Sequence, residues 1–186
     1  VDAVYANLAI AKKKENAFLK YGLKTGEYFL VTAHRQENVD SKERFSGMLK
    51  AFEMIGRKYG LKIFYPIHPR ARKMLQTHAL EAPSEVILAE PLSFFEFLQI
   101  ESGAKLVLTD SGGVQEETCI LGVPCVTLRD NTERPETTEV GANMIAGTDP
   151  AQIIDCISKM IGREGWKNPF GDGKTAQKIL SILSNR

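Results

Sequence analysis

The chain has 186 residues, with 24 Lys and Arg against 23 Asp and Glu, a formal charge of +1, and 43% hydrophobic and 25% charged residues. That size and mix suit one globular domain with a proper core, and a charge this close to neutral gives no electrostatic footprint for nucleic acid and no acidic tail. No apolar run approaches the roughly 18 residues needed to span a bilayer, and no leader is visible, so neither a membrane partner nor export is expected.

In chain order, residues 3–21 read as one amphipathic helix with a basic middle at Lys12, Lys13 and Lys14, inside a connector over residues 1–22. The chain opens at Val1 directly into this charged stretch, so an amino-terminal partner domain is expected. Residues 28–33 form a short apolar run, read as a strand, and 34–40 a polar loop. Ser41 suits an N-cap for a helix that runs to residue 59 and stops at Gly60.

The alternation then repeats. Strands are expected over 61–67, 85–89, 105–109, 124–128 and 142–146, and helices over 70–79, 93–102, 114–121 and 150–161, with a closing helix over 174–184. Residues 129–138 read as a polar loop. Continuous apolar strands alternating with helices predict a Rossmann-like three-layer α/β/α fold around a parallel sheet, with all 186 residues in one domain. Such sheets bind ligands beyond the carboxyl ends of their strands. Residues 34–40, 68–72, 110–117 and 129–136 stand at such ends and are dense in polar side chains. Cys119, Cys125 and Cys156 have no metal-like spacing and read as buried thiols of a reducing cytoplasm.

The turn Asp110-Ser111-Gly112-Gly113 lies between a strand and a helix. Its glycines permit close backbone approach, and the following helix presents unpaired N–H groups and the positive end of its dipole. Ser111 adds a hydroxyl, so the turn reads as a phosphate seat. Glu116 and Glu117 follow within the next turn or so. Either can simply complement the dipole, but a carboxylate there also reaches a ribose diol. Only one of the two can face the ligand, and Glu117 is favoured. His34, beside Arg35, follows the first strand and is placed to stabilise a leaving phosphate. His68-Pro69 is a weaker copy of that design, and His78 reads as surface or packing. Among Phe94, Phe95 and Phe97, one lying near the sheet edge would meet a base. Arg134, in the charged stretch 129–136, either contacts the diphosphate or joins an ion-pair network. No three-glycine fingerprint follows the first strand, there is no P-loop lysine, and no metal-ligand cluster stands out.

Several of these segments match one family together. They are Val31-Thr32-Ala33-His34-Arg35-Gln36-Glu37-Asn38, Ile67-His68-Pro69, the stretch from Thr109 through Gly112 and Gly113 to Glu117, and Leu121-Gly122-Val123-Pro124. Arg129-Asp130-Asn131-Thr132-Glu133-Arg134-Pro135-Glu136 and Asn168-Pro169-Phe170-Gly171-Asp172-Gly173 complete the set. In this order they resemble the non-hydrolysing UDP-N-acetylglucosamine 2-epimerases, over the carboxyl-terminal, UDP-binding half of such an enzyme.

The resemblance implies the second domain of a GT-B-type two-domain enzyme. Such an enzyme interconverts UDP-N-acetylglucosamine and UDP-N-acetylmannosamine by eliminating and re-adding UDP, with no metal or other cofactor. It implies Ser111, Gly112 and Gly113 on the diphosphate, Glu117 on the ribose, Phe97 beside the uracil, and His34 in catalysis. Arg35 and His68 fall where some members bind a second, activating UDP-N-acetylglucosamine. The acids that act on the sugar belong to the amino-terminal domain, so this chain alone is expected to be inactive; the whole protein is expected to be a homodimer serving polysaccharide synthesis. A hydrolysing 2-epimerase, a GT-B glycosyltransferase donor domain and a non-catalytic nucleotide-sugar sensor are the competing readings.

Overall fold

A computed structural model of the chain describes residues 1–184. Six parallel strands form one sheet: β1 (Tyr28–Thr32), β2 (Lys62–Pro66), β3 (Val86–Ala89), β4 (Leu106–Thr109), β5 (Cys125–Thr127) and β6 (Asn143–Ile145). Their order across the sheet is β3-β2-β1-β4-β5-β6. The winding reverses between β1 and β4, and a sheet with this order opens a crevice at that point, outside its carboxyl edge.

Strand periodicity explains why both faces are covered. Successive side chains point to opposite faces. On β1, Phe29 and Val31 enter one core, while Tyr28 and Leu30 enter the other. β2 divides the same way, Ile63 and Tyr65 against Phe64, and so does β4, Leu106 and Leu108 against Val107. The first core is closed by α4 (Lys42–Tyr59), α5 (Pro69–His78) and α9 (Pro150–Met160), whose Phe45, Phe52, Leu75 and Ile157 face it. The second is closed by α2 (Ala17–Tyr21), α6 (Phe94–Ser102) and α7 (Gly112–Leu121), with α1 (Asp2–Ala11) packed outside α6 and α7. Each fully buried Phe or Ile contributes about 1.5–3 kcal/mol relative to exposure. No helix among the described residues is long and apolar enough to cross a membrane.

The elements differ from the sequence reading in four places. The single helix expected over 3–21 is two, α1 and α2, with a break at residues 12–16. Gln99 on α6 explains the break: its Nε2 donates to the carbonyls of Ala11 (2.7 Å) and Glu15 (3.1 Å), and its Oε1 accepts from Ala17 N (3.0 Å). Asn16 then caps α2 through Oδ1. Within the expected loop 34–40 stands a single helical turn, α3 (Gln36–Val39). Another, α8 (Pro135–Glu139), stands in the loop expected to run through residue 138, started by Pro135 at its first position. Finally, α7 begins at Gly112 rather than at residue 114, so both glycines belong to the helix. The last helix, α10 (Thr175–Ser184), exposes Ile179, Leu180, Ile182 and Leu183.

Candidate functional site

The crevice between β1 and β4 is built around Asp110. Its side chain is fully buried, and its Oδ2 accepts from the backbone N–H of His34 (2.9 Å) and Arg35 (2.8 Å) and from Asn38 Nδ2 (3.1 Å). Asn38 also donates to Leu128 O at 2.8 Å, and Arg35 Nε donates to Asp110 O at 3.2 Å. Asp110 therefore turns inward and ties the loop after β1 to the loop after β4. It does not face a ligand, as its membership of the phosphate turn suggested. His34 Nδ1 lies 3.5 Å from Asp110 Oδ1, with the ring 40% exposed. The opposite side of that ring stacks on His68, centroids 5.2 Å apart. His68 is itself the N-cap of α5, its Nδ1 accepting from Arg70 N (3.1 Å).

The α7 end points at the same crevice. Thr32 and Thr109 share a hydroxyl–hydroxyl hydrogen bond of 2.6 Å beneath it, and Thr109 Oγ1 accepts from Ser111 N (3.0 Å). Ser111 holds the N-cap position, yet its hydroxyl makes no capping bond and remains free. Neither Gly112 nor Gly113 has a positive φ, so no left-handed turn requires them. Their contribution is space. A Cβ on Gly113 would meet only Ser111 Oγ, at 4.0 Å, and one on Gly112 would approach Glu133 Oε2 at 3.5 Å. The result is an open helix N-terminus with unpaired backbone N–H groups, a free hydroxyl and no side chain in front of it.

The charged stretch after β5 folds over this end. Arg134 forms an ion pair with Glu116 and donates from Nη1 to Glu133 O (2.8 Å). Arg129 reaches Glu133 (3.1 Å) and Glu37 (3.4 Å), and Arg35 lies 3.9 Å from Glu133. The Arg129 guanidinium hydrogen bond holds the Glu133 carboxyl below its usual range. Of the two roles left open for Arg134, the structure realises the ion pair, beside the phosphate seat. Below the surface, Gln115 Oε1 accepts from Thr132 Oγ1 and from Asn143 Nδ2 (3.3 Å), and Asn143 continues to Thr137 and Thr127. Sequence reasoning missed Gln115, Asn143 and Asn38. Their partners lie 16 to 90 residues away, and a lone buried amide leaves no periodic trace.

With Glu116 committed to Arg134, Glu117 lies in the groove between α6 and α7, half-buried. Burial raises its carboxyl above the usual range, and the Glu116 charge adds to this. Phe97, in the first turn of α6, packs at the upper end of that groove, while Phe94 is exposed and Phe95 lies under Lys14 Nζ. His34, Arg35 and His68 thus share one rim of the crevice, with Ser111, Gly112, Gly113 and Arg134 against it and Glu117 and Phe97 along the neighbouring groove. His78 is apart from all of these and hydrogen-bonds Val39 O at 3.2 Å.

Comparison with known proteins is specific. A family model described as UDP-N-acetylglucosamine 2-epimerase matches residues 1–184. The UDP-N-acetylglucosamine 2-epimerase of Methanocaldococcus jannaschii is 47% identical over 99% of the chain, and that of Bacillus subtilis 37% identical over 83%. A crystal structure of the M. jannaschii UDP-GlcNAc 2-epimerase in complex with UDP-GlcNAc and UDP superposes on the whole chain with a TM-score of 0.88 at 45% identity. The chain spans about half the length of these relatives: 52% of the M. jannaschii protein and 42% of the B. subtilis one.

Proposed function

Because the chain belongs to the UDP-N-acetylglucosamine 2-epimerase family, we propose that it is the UDP-binding half of an enzyme interconverting UDP-N-acetylglucosamine and UDP-N-acetylmannosamine. The observation that carries this is the bare N-terminus of α7 at the switch point of the sheet. A diphosphate there accepts from the backbone N–H groups of the Gly112-Gly113 turn and from the Ser111 hydroxyl, and the helix dipole adds to its binding. Arg134, steadied by Glu116, supplies a positive charge beside it. Glu117 accepts from the ribose hydroxyls and Phe97 borders the uracil. His34, held by Asp110 at its backbone, faces the sugar side of the diphosphate. Arg35 and His68, next to it on the rim, are the residues of this half that a second UDP-sugar would meet.

The chemistry balances without a co-reactant. A base removes the C2 proton as the C1–O bond to UDP breaks, giving a C1=C2 double bond and free UDP. UDP then re-adds at C1 while a proton returns to the opposite face of C2. Here the His34 and α7 side of the crevice binds and stabilises the departing diphosphate. The acids that handle the C2 proton belong to the other half of the protein, against which the apolar face of α10 is free to pack. Three buried, unpaired cysteines suit a reducing cytoplasm.

The test is to incubate the whole protein with UDP-N-acetylglucosamine in heavy water and follow the products by NMR. Appearance of UDP-N-acetylmannosamine carrying deuterium at C2 is the expected result. Free N-acetylmannosamine and UDP would identify a hydrolysing enzyme instead, and conversion only when an acceptor sugar is added would identify a glycosyltransferase. Binding with no conversion of any kind would make the protein a sensor.

A further inference from the structure

One ionisable side chain in the second core has no role in this description. Glu101, in the last turn of α6, is fully buried, and neither carboxyl oxygen has a conventional hydrogen-bond donor. Its one polar contact is another carboxyl group, that of Glu117 across the α6–α7 groove. No Lys or Arg acts on Glu101. The other titratable groups nearby are Glu116 on α7, which acts on Glu117, and Cys125 on β5, which feels the Glu101 charge. From the remaining neighbours, Tyr28 on β1 spends its hydroxyl on Ile100 O and Tyr5 on α1 spends its own on Ile120 O.

Two carboxylates in contact in an apolar groove cannot both stay ionised; they share a proton. We infer that Glu101 is a positioning residue for the ribose: its carboxyl group donates a hydrogen bond to one oxygen of Glu117 and leaves the other to accept from the ribose hydroxyls. Burial raises Glu101 well above the usual carboxyl range, and the Glu117 charge and the hydrogen bond raise it further. The same bond works in the opposite sense on Glu117, favouring its ionised form. The proton therefore sits on Glu101, the deeper partner, and the charge on Glu117, the one nearer the ligand. Phe97 stands one helical turn above Glu101 on α6, so the uracil side and this pair share one groove wall. The arrangement is costly. A carboxyl group that the fold keeps protonated stabilises the protein at low pH, below its ordinary range, and that contribution is lost as pH rises toward its raised value. An apolar residue in its place would carry no such loss, which argues for a use beyond packing.

This inference rests on the assignment of Glu117 to the ribose, and the experiment separates the two. Affinities for UDP and for 2′,3′-dideoxy-UDP are measured by calorimetry on the whole protein, on Glu101→Leu and on Glu101→Gln, from pH 6 to 9. The ratio of the two affinities isolates the diol, because both ligands carry the same diphosphate. The wild type prefers UDP, and its preference falls as pH rises through the titration of Glu101. Glu101→Leu loses preference by roughly tenfold at neutral pH, as expected for one hydrogen bond to a charged group, while dideoxy-UDP binds unchanged. Glu101→Gln keeps a donor at every pH, so its preference stays near that of the wild type and its profile is flat. If the wild type shows no preference for UDP, the ribose assignment fails and the inference falls with it. If the wild type prefers UDP and Glu101→Leu prefers it equally, or if Glu101→Gln keeps the wild-type pH dependence, the ribose assignment stands and the role of Glu101 is overturned.

Discussion

At the scale of single residues, the site separates those that face a ligand from those that only hold the loops. Asp110 looked like a member of the phosphate turn, yet its three hydrogen bonds bring His34, Arg35 and Asn38 to the end of β4. Gly113 is the contrary case. It needs no unusual backbone, and a methyl group there would enter open space beside Ser111 Oγ. Gly113→Ala therefore raises helix propensity, by up to about 1 kcal/mol, with no clash inside the fold. The same methyl group would stand where a phosphate approaches the α7 N–H groups. Stability and binding are expected to move in opposite directions: an unchanged or higher urea midpoint, with UDP affinity at least roughly tenfold weaker. A variant that keeps full affinity for UDP would remove the phosphate from this helix end.

At the scale of elements, α6 is fixed at its start by a capping box, Ser93 with Glu96, and Glu96 also meets Lys20 of α2 at 2.6 Å. The Lys20 hydrogen bond, aided by those of Ser93, lowers the Glu96 carboxyl from its usual 4.5 to about 2. A carboxyl group lowered by folding contributes stability above its unfolded value and loses it as pH falls toward the folded one. Glu96→Gln keeps an oxygen for the cap but not the ion pair. Its urea midpoint should lie below that of the wild type at pH 7, with the gap closing between about pH 4.5 and 2; a constant gap would show that the ion pair contributes nothing. The capping box could have been read from Ser93 and Glu96 three residues apart. The break between α1 and α2 could not. Residues 3–21 are locally consistent with one helix, and the polar groups that end α1 and start α2 belong to Gln99, more than 80 residues on. The single turns α3 and α8 escaped for a related reason. Four or five residues are too few for a periodicity, and their conformation follows from Asp110 and from Pro135.

At the scale of the whole molecule, strand and helix alternation already implied a parallel sheet with ligand loops at its carboxyl edge. The order β3-β2-β1-β4-β5-β6 was not legible, because strand sequence carries no mark of its neighbour. That order puts the loops after β1 and β4 on either side of one crevice, and without it His34 and Ser111 are two polar turns 77 residues apart. The same view sets a limit on this half. Every candidate acid on it has a structural partner: Glu116 with Arg134, Glu133 with Arg129, Glu37 with Arg129, Glu117 with Glu101, and Asp110 with the β1 loop. None stands free above the phosphate seat to take a proton from a sugar carbon. The crevice therefore binds and stabilises a leaving diphosphate and has no base for the C2 proton. Given UDP-N-acetylglucosamine, the 186-residue chain alone should bind weakly or not at all. It should yield neither UDP-N-acetylmannosamine nor deuterium exchange at C2, whereas the whole protein should yield both. Epimerisation by the isolated chain, measured by the same NMR experiment, would require a base among these paired acids and would overturn the division of labour between the two halves.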